Sequence, residues 1–153
     1  LKFLNIILFL ILTQTLFAEK VEITSTSMEA EEQKKEVHFI GNAKVVKAND
    51  WLHADRVIVY FDDNNDTEMY EAIGSVTFEF KNEKHFFKGS ADKVKYYVVK
   101  SLYVLTGKAV IDDLVNKSHV NGDEIMLDMT TGNVRVKGNE KKPVKFIIDM
   151  ENK

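Results

Sequence analysis

The sequence predicts an all-β domain built from repeated antiparallel hairpins, and three observations carry that prediction. Glycines recur at a fixed interval, an aspartate-led motif precedes most of them, and apolar residues alternate with polar ones in between. Gly41, Gly74 and Gly107 lie 33 residues apart, and Gly138 follows 31 further on. Self-similarity at such a period marks stacked structural units, each burying its apolar side against its neighbours.

Taken in order, residues 1–18 come first: LKFLNIILFLILTQTLFA. One cation, Lys2, precedes an apolar stretch from Phe3 to Leu12, then polar Thr13-Gln14-Thr15, then Ala18. That order predicts a secretory signal peptide cleaved after Ala18, with residues 19–153 as one domain. The apolar stretch is shorter than the ~20 residues of a bilayer span. The alternative is an uncleaved anchor. The Glu- and Lys-rich segment 28–35 then reads as a charged hairpin turn.

Each glycine sits in a pattern of apolar positions two apart: Val37-His-Phe39-Ile-Gly41-Asn-Ala43, Tyr70-Glu-Ala72-Ile-Gly74-Ser-Val76 and Tyr103-Val-Leu105-Thr-Gly107-Lys-Ala109. The fourth, Val134-Arg-Val136-Lys-Gly138, runs on into a polar stretch. A second pattern begins at Asp55, Asp92 and Asp123, with Val57-Ile-Val59-Tyr-Phe61, Val94-Lys-Tyr96 and Ile125-Met-Leu127 as its apolar rows. A degenerate first copy starts at Thr26. The step to the next glycine is 15 residues, except after Asp55, where it is 19. The extra residues coincide with Asp62-Asp63-Asn64-Asn65-Asp66, a longer turn.

Period-two alternation rich in Val, Ile, Tyr and Phe argues for strands with one buried face. Short connections argue for antiparallel pairing, giving a long sheet that curls or two sheets face to face. The glycines share the phase of the apolar row, so they are expected to omit a side chain from the inner face. A bulge that curves the sheet explains this best; close approach of an acyl chain to the backbone is the other explanation. The aspartates recur at what reads as the start of a strand, as structural punctuation does.

The net charge is −3, and −4 once Lys2 is removed, so a nucleic-acid partner is not expected. There is no cysteine, which excludes disulfides, thiolate metal sites and thiol catalysis. His38, His53, His85 and His119 share no ligand spacing, and neither a phosphate-cradling loop nor a nucleophile motif is present. No cofactor and no metal are expected, and no enzyme: a carbohydrate-active site using Asp55, Asp92 or Asp123 is the weakest reading. Lys141, Lys142 and Lys145 form a basic rim that is solvated or meets an anionic partner. The inner row comprises Phe39, Val57, Val59, Phe61, Val76, Phe78, Phe80, Val94, Tyr96, Leu105, Ile111, Ile125, Leu127 and Val134. A core and a lipid groove use the same residue types, and periodicity does not separate them.

The paired motifs Ala54-Asp55-x-Val57 with Ile73-Gly74-x-Val76, Ala91-Asp92-x-Val94 with Thr106-Gly107-x-Ala109, and Gly122-Asp123-x-Ile125 resemble the OstA-like family of lipopolysaccharide-transport proteins. So does the opening Ile23-Thr24-Ser25 with Met28-Glu29; the likeness spans residues 20–150. The resemblance implies a β-jellyroll open along one side into a V-shaped trough. It implies that the inner row holds lipid A acyl chains while the sugar stays in water. It further implies periplasmic copies stacked head to tail by their sheet edges, bridging the inner and outer membranes with anchored partners at each end. A membrane-anchored relative of the pathway shares the fold and fits better if residues 1–18 are retained. An adaptor that binds only proteins is the remaining reading.

Overall fold

The computed structural model describes residues 20–81 and 83–150, and these form strands without any helix. In chain order they are β1 (Val21–Thr24), β2 (Ser27–Glu31), β3 (Glu36–Lys47), β4 (Asp50–Phe61), β5 (Thr67–Lys81), β6 (Phe86–Tyr97), β7 (Leu102–Asp113), β8 (Ser118–Asp128), β9 (Val134–Lys137) and β10 (Lys145–Ile148). From β3 to β8 every strand pairs antiparallel with the next, as short hairpin connections require. Both edges are split strands. β1 and β2 pair with successive parts of β3, and β9 and β10 with successive parts of β8. The signal-peptide expectation lies outside the described residues.

The predicted long turn is present: the Asp62 Oδ1 accepts from the backbone N–H of Asn64 at 2.8 Å and of Asp66 at 3.0 Å. Such an Asx-type arrangement holds a reversal that has no strand partner.

Across the sheet, one line of irregularity crosses every long strand. Pairing slips between Ile40 and Ala43 in β3, Ile73 and Val76 in β5, and Thr106 and Ala109 in β7. Each slip inserts a dipeptide with positive φ: Gly41-Asn42 at 85° and 45°, Gly74-Ser75 at 88° and 46°, Gly107-Lys108 at 84° and 47°. Aligned bulges fold the whole sheet along one line, because a bulge bends and twists its strand. Each long strand thus contributes one half to each of two facing walls. The bulge reading of the glycines holds.

Its geometry corrects the sequence reading in three respects. The side chain that the glycine omits is on the outer face: a Cβ on Gly74 or Gly107 would collide with the carboxylate of Asp55 or Asp92, both exposed. At Gly41 the neighbour is Thr26, the degenerate copy, whose Oγ1 would lie 2.9 Å from the added carbon. Second, the aspartates sit mid-strand in β4, β6 and β8, opposite the bulges, rather than at strand starts. Third, Gly138 is no bulge glycine. It lies in the turn after β9, where an added Cβ would meet the backbone of Lys142, Pro143 and Val144.

The inner faces of the two walls converge on the fold line through small side chains: Ala43, Ala54, Ala91 and Ala109 are all buried. Beyond them lie the larger fully buried residues, Val57, Val76, Phe78, Leu105 and Ile125. Burying each of these larger side chains contributes about 1.5–3 kcal/mol, so the wedge between the walls is the core. Phe78 fits by lying over Gly89 of the neighbouring strand, where any Cβ would strike its ring.

Candidate functional site

Toward the hairpin tips the walls separate into an open cleft of about 260 Å³. Val45, Leu52 and Phe80 bound it from one wall; Val57, Tyr70, Val94, Tyr96 and Tyr103 bound it from the other. Val21 of the edge strand β1 closes one end, and Lys47, Asp50 and Thr67 bring polar groups to the lining.

An aromatic ladder crosses this space. Tyr70 stacks toward Tyr96 with centroids 6.4 Å apart, Tyr96 on Tyr103 at 4.3 Å, and Tyr103 meets Phe80 at 5.2 Å. Phe80 in turn stacks on Phe78 at 4.8 Å. The Tyr103–Phe80 contact joins one wall to the other. Burial pushes the Tyr103 phenol well above the ordinary tyrosine range, with Tyr96 and Asp50 adding to the effect. The Tyr103 hydroxyl therefore stays protonated and brings no charge into the apolar space.

The predicted inner row divides in two. Val57, Phe80, Val94 and Tyr96 line the cleft. Val59, Val76, Phe78, Leu105, Ile111 and Ile125 are buried, while Phe39 and Leu127 pack against the core. Phe61 ends β4 and is only part-buried, and Val134 keeps the inner phase on β9 but is 56% exposed, because β9 is a short edge piece. Val21, Val45, Leu52, Tyr70 and Tyr103 line the cleft without having been singled out from the sequence. Tyr70 and Tyr103 stand in the glycine motif itself. Leu52 precedes Asp55, where the alternation changes phase.

None of the aspartate and histidine candidates lines this cleft. Asp55 and Asp92 cap glycines on the outer face, and Asp123 Oδ2 accepts from Asn139 Nδ2 at 2.6 Å. His53 leans on Trp51, His85 stacks on Phe87, and His119 is bonded to Asp112. His38 is buried with Nε2 2.8 Å from Glu36 Oε2, and the β2–β3 hairpin adds Glu31, whose carboxylate is ion-paired to Lys34 at 2.8 Å. Glu31, Glu36 and His38 bring ligand atoms within 4.8 Å of one another, a grouping that sequence spacing does not reveal because the hairpin creates it. Lys34 already neutralises Glu31 in part, while Lys35 pairs with Asp63 in the turn after β4. Of the basic rim, the Lys141 and Lys142 backbone N–H groups bond Asn139 Oδ1, and the side chains are exposed.

The bent sheet has counterparts among known proteins. The family described as LptA/(LptD N-terminal domain) LPS transport protein matches residues 22–137, most of the chain. The chain belongs to that family. No curated protein sequence matches it. Among solved structures, this LptA-like chain is similar to LptH of Pseudomonas aeruginosa, described as the LptA-homologous periplasmic component of the lipopolysaccharide transport device. The TM-score is 0.75 at 17% identity, over 86% of this chain and 96% of that one. An LptA-like fold of antiparallel strands thus accounts for the repeat, the bend and the open sheet together.

Proposed function

We propose that this protein carries lipopolysaccharide through the periplasm by holding acyl chains in the cleft between its walls. The observation that carries the reading is an apolar cleft that opens to solvent between two walls of a folded sheet. Removing aliphatic surface from water supplies the affinity, at about 25 cal/mol per Å² buried. The phosphorylated sugar remains outside, where Lys47 stands on the lining. No catalytic step is needed. Outer-face aspartates seated on glycines and histidines with local partners agree with a carrier rather than a hydrolase.

The two sheet edges suit the bridging role. β1 and β2 at one end, and β9 and β10 at the other, present main-chain groups for strand addition. β10 also exposes Phe146, Ile147 and Ile148, an apolar edge fitted to a neighbouring sheet. Head-to-tail copies, or membrane-anchored and outer-membrane partners of like fold, would extend the cleft lengthwise. The same edge supports the second reading, an adaptor that binds proteins alone.

Site-specific photocrosslinking separates them. A photoreactive residue replacing Tyr96 should capture lipopolysaccharide in cells, and one replacing the outward Lys95 on the same strand should not. Equal capture at both positions, or at neither, overturns the carrier reading. Sizing the mature protein by mass decides whether residues 1–18 are removed.

A further inference from the structure

The cleft does not run the length of the sheet. Its lining comes from β1 and β3 to β6, with Tyr103 the sole contribution of β7. Tyr103 and Phe80 stand where it stops, and theirs is a ring contact made across the gap between the walls. On the far side Ile111 and Ile125 are buried, and the part-buried Val120, Leu127 and Val136 pack against the same core. Phe80 is braced from behind by Phe78, which is seated over Gly89, and Tyr103 by Tyr96. A barrier built of two braced rings is a defined structural element.

We infer that Phe80 and Tyr103 divide the trough into two compartments. The first is open and takes aliphatic chains. The second is closed in this state and admits a chain only when the ring pair parts. The inference rests on the carrier reading above and adds a steric step to it. A saturated chain lying along β3 to β6 ends against the two rings. Its onward movement toward the β9–β10 edge requires that Tyr103 swing away from Phe80 and that the side chains beyond make room. Two rings in contact across the gap occupy the path of a chain lying between the walls.

The barrier makes a positional prediction for the full chain with purified lipopolysaccharide as the probe. A photoreactive residue at Val45 reports the first compartment, and one at Val120 reports the second. In the otherwise unsubstituted protein, capture at Val45 should far exceed capture at Val120. Phe80→Ala and Tyr103→Ala should raise the Val120 signal by about two- to tenfold, the span that corresponds to loss of one ring–ring contact. Tyr103→Phe, which keeps the ring, should leave the ratio unchanged. Equal capture at both positions in the unsubstituted protein overturns the barrier while leaving lipid carriage intact. Capture at neither position overturns lipid carriage itself. Alanine variants that fold, by their β-sheet circular dichroism, and keep the original ratio also overturn the barrier. Should they fail to fold, Phe80→Leu, which shortens the contact without emptying the site, is to be read in the same way, alongside the unsubstituted ratio.

Discussion

Replacing Gly74 with alanine tests the physical basis of the fold line. Gly74 has φ +88°, a conformation that costs an L-residue about 1–2 kcal/mol. The added Cβ would also overlap the Asp55 carboxylate and lie 2.9 Å from its Cβ and Cγ, overpacking that typically costs about 1–3 kcal/mol. Together these give a loss of about 2–5 kcal/mol. Gly132 supplies the control, since its φ is +75° but nothing lies within 4 Å of an added Cβ. Gly132→Ala should therefore lose only the conformational part. Urea unfolding followed by far-ultraviolet circular dichroism measures both through the shift in midpoint. Adding Asp55→Ala to Gly74→Ala removes the carboxylate but keeps the Cβ at 2.9 Å, so it should recover part of the collision, about 1 kcal/mol of coupling between neighbours. Asp55→Asn, equal in size, should recover nothing. If Gly74→Ala costs no more than Gly132→Ala, or if Asp55→Ala brings no relief, the seating of aspartate on glycine is not what shapes the bend.

Three other outcomes are expected. Leu105→Ala, at a 1% exposed position, should cost about 2–5 kcal/mol by urea unfolding, whereas Val134→Ala, 56% exposed, should stay within about 0.5 kcal/mol. Tyr60 is pushed up to about 12 by burial and by donating its hydroxyl proton to Glu71, so its contribution to stability is intact below the ordinary phenol range near 10 and is lost as pH rises through about 12. A spectrophotometric phenol titration of Tyr60→Phe should lack one late-titrating group; loss of an early one would contradict this. Ile147→Lys on the exposed edge β10 should weaken any self-association in sedimentation velocity while leaving the unfolding midpoint nearly unchanged.

Much of the architecture was legible in the residues because the odd-numbered long strands keep one phase throughout. Val37, Phe39, Ala43 and Val45 all face inward on β3, since the extra residue of the bulge is absorbed at Gly41-Asn42. The even strands do not behave this way. On β4 the inward residues are Leu52 and Ala54, then Val57 and Val59, and the step across Asp55-Arg56 changes parity. An alternation read forward from the aspartate therefore finds Val57 and misses Leu52, and likewise finds Val94 and misses Phe87. A one-residue slip exchanges faces, and only the pairing shows where it occurs. The outward seat of the aspartates was hidden for the same reason. Which inner residues border open space depends on how far the walls have diverged at each level, and periodicity holds no information about that. The Glu31–Glu36–His38 grouping was equally invisible, being made by a hairpin rather than by spacing.

Strand order following chain order bears on how the molecule comes into being. From β3 to β8 each strand finds its partner in the segment just before it. Closing such short loops is quick and entropically inexpensive, so the sheet can grow by accretion as the polypeptide emerges, each hairpin templating its successor. The end made first can take shape while the last strands are still being delivered, since no distant segment has to arrive for β3 to β8 to begin pairing.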